Sequence, residues 1–440
     1  MMSSLKRITA ILLAAAMLLS LAACGSQTAQ NQTETKTTEK QPALPGPRKV
    51  QAADLLEDFK PQPVEEKKAD EAFIRAGFDW AVRLFRQVYQ DEKSQKTLLI
   101  SPLSVMTALA MTANGAKGNS LKEMETALGG SLSLETLNAY LHSYLKNLPS
   151  SEKAEFSFAN GIWFKDQADF VVEQDFLQKN VNYYEAAIRK APFDDSTVQE
   201  INQWVAMHTK NMIPSLLSSL SDSDRMVLIN ALAFDAKWEQ PFEVYGSNLA
   251  PFTNLEGKET EADYLSGEVY SYLENESCTG FMKSYEGDGY RFVALLPKNE
   301  KGFDDFVAGL DGAALKSLLA GVSEELVRIR LPRFSYDYSA SLSQTLSALG
   351  IRDAFNPAAA DFTRISQTPL AISDVIHKTH IDLDSEGTRA AAVTAVIVAA
   401  TGILPQPPKE VNLDRPFVYM IVDTATNLPV FIGTVTGFEK

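Results

Sequence analysis

SEGTRAAAVTAVIVAATGILPQPP, residues 385–408, opens on a Glu-Gly-Thr turn signal, runs from Ala390 to Ala400 on Ala, Val, Thr and Ile alone, and ends in a proline cluster. Alanine favours a helix there. Val393, Thr394, Val396, Ile397 and Val398 oppose it, because branching at Cβ crowds χ1 against the preceding helical turn. A membrane span fails on length. The third reading is an exposed segment able to become a strand. In a strand Thr388, Ala390, Ala392 and Thr394 share one face, and all four are small. Such a strand can slide between two others without steric conflict. About a dozen new ladder hydrogen bonds at roughly 0.5–1.5 kcal/mol net each amount to something on the order of 10 kcal/mol, comparable with the whole stability of a domain.

Outward from this segment the chain reads as a secreted globular protein. Its 440 residues can bury a large core, and 45% hydrophobic with 22% charged residues is ordinary for a folded domain. A net charge of −15 argues against a nucleic-acid partner. The first residues carry Lys6 and Arg7 ahead of a short apolar run, the pattern of a signal peptide over 1–23. Leu21-Ala22-Ala23-Cys24 resembles a bacterial lipobox, which makes Cys24 a lipid-attachment site and places the protein outside a bacterial membrane, anchored to it. Residues 24–66 are rich in Gln, Thr, Lys, Glu and Pro and read as a flexible tether. Cys278 is then the one cysteine of the body, so an intramolecular disulfide is excluded.

The body, 67–440, mixes helices early with strands late and lacks βαβ alternation, so its class is α+β in a single domain. Phe73, Gly77, Trp80, Leu84 and Val88 recur at helical spacing. Ser101 followed by Pro102 starts a second helix that ends before Asn114-Gly115, and Ser120 with Glu123 reads as a capping box for a third. Residues 199–213 read as a helix. Residues 156–164, 226–234, 291–298 and 326–334 read as strands, as do RPFVYMIVD and PVFIGTVTG near the end. No nucleophile elbow, zincin helix, phosphate loop or dinucleotide fingerprint is present, so the chain is not read as an enzyme. The four histidines include His377 and His380 in HKTH. Without a cysteine or acidic partner at ligand spacing they predict neither a metal site nor a cofactor.

An ordered set of motifs over roughly residues 70–440 resembles the serpins. It comprises Ser101-Pro102-Leu103-Ser104, NGAKGNS, Ala159-Asn160, INQWVAMHTKNMI, LINALAFDAKWEQPF, LPRF, LGIRDAF, ADFTRIS, VIHKTH, EGTRAAAVTA and Asp414-Arg415-Pro416-Phe417. The resemblance implies about three β-sheets surrounded by helices, an exposed reactive loop, and suicide inhibition of a serine protease. In that mechanism the cut loop inserts into the main sheet while the protease is still an acyl-enzyme. The loop hinge corresponds to Gly387, Thr388, Ala390, Ala391, Ala392 and Thr394. Family spacing puts the scissile bond at Thr401-Gly402, with Ala400, Ile403 and Leu404 as neighbouring alternatives. These small or apolar residues suit an elastase-like or subtilisin-like target, and a cysteine protease stays open.

Ser101, Ser104, Asn230 and His377 match the family's polar cluster beneath the parting strands, and Trp238 matches the aromatic where insertion begins. Where the family usually has Glu two residues before the hinge glycine, this chain has Ser385, and Arg333 matches the basic residue that commonly pairs with that Glu. The expected partners are an extracellular protease and, through the lipid, a membrane; the expected state is a monomer. Two other readings stand beside this one: a non-inhibitory binding protein on the same fold, and a solute-binding lipoprotein of two α/β lobes, which would need repeated βαβ units.

Overall fold

The computed structural model describes residues 53–92, 97–150, 154–168, 170–184, 187–243, 248–300, 302–388 and 407–438. The body is one unit from Val50 onward. Its first helix, Glu71–Asp91, is capped by Asp70, whose carboxylate accepts the amides of Ala72 and Phe73, and buries Phe73, Trp80, Leu84 and Val88. Helix Pro102–Ala113 begins and ends as the sequence predicts, with Ser101 as N-cap. All twelve of its residues are buried, as expected of a helix that is apolar all round.

Among the described residues three sheets are present, matching the α+β reading. The main sheet has seven strands, in the order Ala53–Asp54, Ala187–Ala191, Ala154–Lys165, Met226–Lys237, Gly387–Thr388, Asp374–Leu383, Phe334–Ser341. A six-stranded sheet contains Cys278–Ser284, Tyr290–Pro297, Phe417–Asp423 and Pro429–Val435, and a four-stranded sheet contains Val327–Pro332. Helix Asp195–His208 covers the other face of the main sheet, where Trp204 meets Trp163 edge-on at 5.0 Å.

Four sequence readings are corrected. The tether expected through residue 66 is anchored to the body over residues 53–59. Ala53 and Asp54 pair with Lys190 and Arg189, Leu55 donates to Ile188 O at 2.9 Å, and Leu56 and Phe59 pack on the core. Edge pairing uses backbone groups that composition does not reveal. Ser120 is no cap: the third helix starts at Gly118, and the Ser120 hydroxyl is buried, accepting the amide of Asp361 at 3.0 Å. Residues 326–334 form no single strand, because the chain leaves the small sheet at Pro332 and enters the main sheet at Phe334. The alternation of Val327, Ile329 and Leu331 against arginine breaks at Leu331-Pro332, where the chain changes sheet. Helix 199–213 instead spans Asp195–His208, ended by Lys210 and Asn211 at positive φ.

Candidate functional site

Strands Met226–Lys237 and Asp374–Leu383 run parallel and pair directly from Val227–Asp374 to Ala233–His380. Beyond that they part. Into the gap comes the hinge, with Gly387 opposite Lys237 and Thr388 opposite both Ala236 and Leu383, antiparallel to each neighbour. Gly387 is required by proximity: a Cβ there would stand 2.1 Å from Ala236 O and 2.7 Å from Lys237 Cα, both backbone atoms. Thr388 is buried, and its hydroxyl is 2.7 Å from that of Tyr285.

The loop base is gripped from one side. Trp238 N donates to Glu386 O at 2.8 Å, Trp238 Nε1 to Asp384 O at 3.0 Å, and Phe242 N to Ser385 O at 2.8 Å. Trp238 stacks on Tyr285 at 4.5 Å with 9° between planes, and both rings are buried. Asp384 closes the turn itself. Its Oδ1 accepts the amides of Glu386 at 2.8 Å and Gly387 at 3.1 Å, and its own amide donates to Gly387 O at 2.9 Å. With Ser385 in place of Glu, the base is ordered by these hydrogen bonds to its backbone and by the Asp384 carboxylate. Arg333, which matches the family's partner for the Glu that Ser385 replaces, has its guanidinium paired with Asp263, Nη1 to Oδ2 3.5 Å.

Under the paired part of the two strands lies the polar cluster, and the structure brings its four predicted members together. His377 Nε2 accepts the amide of Ser101 at 3.1 Å, so its proton sits on Nδ1, which donates to Asn230 Oδ1 at 2.5 Å. Asn230 Nδ2 donates to Ser104 Oγ and, at 2.6 Å, to Asn160 Oδ1. Burial lowers the His377 pKa to about 3. A second ring proton would also face the Ser101 N–H, so the imidazole is neutral. His380, three residues along the strand, points to the opposite face and pairs with Asp337 at 2.8 Å. The two histidines cannot share a ligand, and among the described residues no group of His, Cys, Asp and Glu could hold a metal.

This is a sheet with its next strand already started and a satisfied polar seam beneath it. The serpin family model, described as serine protease inhibitor, matches residues 76–437. The chain belongs to the serpin family. A leukocyte elastase inhibitor from Bos taurus is 30% identical over 83% of this chain and 100% of its own length. The crystal structure of the thermophilic serpin tengpin in its native state is 44% identical, with TM-score 0.84 over 88% of this chain and 100% of that one. Tengpin in its latent state gives TM-score 0.74 at 40% identity, over 85% of this chain and 100% of that one. Serpins generally inhibit serine proteases, and no catalytic family is indicated.

Sequence reasoning missed several members of this serpin's site. Asn160 stood within a quoted motif without being assigned to the cluster. Tyr285 and Lys283 carry no local signal: Lys283 lies in a strand of the six-stranded sheet and Tyr285 just beyond its end, and only the fold brings Tyr285 to Thr388 and Lys283 to Gln240. Ala390, Ala391, Ala392, Thr394, the bond candidates Ala400, Thr401, Gly402, Ile403 and Leu404, and Cys24 lie outside the described residues.

Proposed function

We propose that this serpin traps an elastase-like or subtilisin-like serine protease by inserting its cut reactive loop into the main sheet, and that Cys24 carries a lipid anchoring it outside a bacterial membrane. The carrying observation is the register of the two residues already between the strands. Continued residue for residue, both ladders agree: Ile397 comes opposite Val227 and opposite Asp374, the very pair where direct contact of the two strands begins. An insert ending there replaces all of the contact that has to be broken. The same register sets Ala390 level with Phe234 and Ile381, and Ala392 level with Leu232 and Thr379. Thr394 falls level with Asn230 and His377. Insertion must separate the His377–Asn230 hydrogen bond, and the Thr394 hydroxyl arrives at that place as a replacement partner. Small residues thus pass the levels of Phe234, Ile381, Leu232 and Thr379, and a hydroxyl meets the level of Asn230 and His377.

In the reaction, the protease serine oxygen attacks the Thr401 carbonyl carbon and the peptide bond breaks. The Gly402 amine leaves with the proton, and an ester joins the protease to Thr401. Residues 388–397 at about 3.3 Å each then carry that ester roughly 33 Å along the sheet, away from where the bond was cut. Distortion of the acyl-enzyme before water attacks leaves a covalent complex whose persistence is kinetic.

The test mixes the full chain with pancreatic elastase and with subtilisin, followed by denaturing gels, fragment masses and melting of the cut chain. A covalent complex with a C-terminal fragment starting at Gly402 is expected. Clean cleavage with no rise in Tm removes the inhibitor reading and favours a binding role for the fold. The anchor is checked separately: Cys24→Ala should move the protein from the membrane fraction to the soluble one.

A further inference from the structure

Among the described residues Lys283 is the only buried lysine or arginine, 7% exposed in the strand Cys278–Ser284 of the six-stranded sheet. Its ammonium donates to Gln240 O at 2.7 Å and stands 4.6 Å from the Phe242 ring centre and 5.5 Å from that of Trp238. Burial lowers its pKa to about 8, with the field of Glu239 acting in the opposite direction. Burying a charge is costly, and an apolar side chain would fill an inward strand position without that cost. The charge is spent on one segment. Residues 238–242 hold the carbonyls of Asp384, Ser385 and Glu386 with three hydrogen bonds, and the ammonium holds that segment by its central carbonyl and by the rings at both ends.

We propose that Lys283 is the positioning residue of the loop base, fixing residues 238–242 so that the turn 384–387 stays formed while the inserted strand grows from it. The proposal rests on the insertion reading above. An inserted strand antiparallel to Asp374–Leu383 has to be joined to it through this turn. Keeping the turn closed beforehand removes part of the ordering entropy from the start of the ladder. Without the cation, Trp238 and Phe242 keep their places in the sequence but lose the group that draws both rings and the Gln240 carbonyl to one point.

The experiment uses the full chain as native, Lys283→Met and Lys283→Arg. The loop is nicked with elastase or subtilisin, and two rates are followed: loop cleavage, and arrival of the nicked chain at its heat-stable form. Lys283→Met should slow the second step about fivefold, the factor that roughly 1 kcal/mol of barrier represents, with cleavage unchanged and Lys283→Arg within about twofold of native. A Lys283→Met chain that reaches the heat-stable form at the native rate overturns the proposal. So does a Lys283→Arg chain as slow as Lys283→Met, since the cation would then be irrelevant. If Lys283→Met does not fold, Phe242→Leu, which removes one ring and keeps the cation, should slow the same step, and an unchanged rate overturns the role. A native chain that gains no heat stability on nicking overturns the insertion reading itself, and this proposal with it.

Discussion

Two pairs of buried strands lie at the hearts of their sheets and are built differently. Phe417–Asp423 and Pro429–Val435 are antiparallel neighbours joined by a short turn, and every residue of both is buried. The turn is pinned by Asp423, which accepts Tyr144 OH at 2.8 Å and the amide of Ala425 at 2.9 Å. Met226–Lys237 and Asp374–Leu383 are parallel, come from distant parts of the chain, and pair along only seven positions. Parallel pairing is slightly weaker per residue. The inner seam of this pair holds Asn230 and His377, hydrogen-bonded to each other and to Ser101, Ser104 and Asn160. The first pair is packed mainly through buried apolar side chains. The second is joined at its seam by hydrogen-bonded polar groups, and its upper end already contains Gly387 and Thr388.

The contrast breaks most sharply at Thr394. If the main sheet opens in the register set by Gly387 and Thr388, arginine at 394 would bring a charge to the level of Asn230 and His377, where both neighbours are wholly buried. A buried unpaired charge costs several kcal/mol. Thr394→Arg should therefore convert the chain from trap to substrate, cleaved as fast as native but forming no covalent complex and gaining no Tm on cleavage. A matching change in the closed sheet should behave in the opposite way. Ile432→Ala, at a fully buried position, should cost roughly 2–5 kcal/mol and lower the Tm of intact and cut chains together, leaving the trap intact. A Thr394→Arg chain that still forms complex, seen on a denaturing gel, would mean that the two sheets do not differ in the way described.

Much of this contrast was legible in the residues. The apolar runs 226–234 and 417–423 announce buried strands, and the small, uncharged 390–400 segment stands out against an acidic chain. The polar cluster was reached only through the serpin resemblance. Ser101, Ser104, Asn230 and His377 come from three distant elements, and no spacing rule links them. What stayed hidden was contact between sheets. Lys283 looks like an ordinary strand residue and Tyr285 an ordinary residue after it until the fold lays both against Trp238. Arg333 suited the missing Glu by type, and what its side chain meets instead depends on the chain changing sheets at its position, where the guanidinium pairs with Asp263. The attachment of residues 53–59 to the body was missed because it is mostly backbone pairing and a few scattered side chains.

The finest difference between the two strand pairs is in their response to acid. His377 is neutral in the fold, burial holding its pKa at about 3 against an ordinary value of 6.5. The unfolded chain therefore binds more protons than the folded one between those two values. Stability from this group is complete above pH 6.5 and is lost as pH falls toward 3, with a slope of at most about 1.4 kcal/mol per pH unit. The seam should loosen first, since the proton lands on the group that ties the two parallel strands together. In His377→Asn the slope should be absent from the thermal midpoint measured between pH 6.5 and 4, compared with native chain under the same buffer and scan rate. Acid should also hasten arrival at the heat-stable form of the nicked native chain and leave that of His377→Asn unchanged. If both proteins lose stability in parallel, the acid-sensitive group lies elsewhere, and the seam is held by its packing rather than by the neutral imidazole.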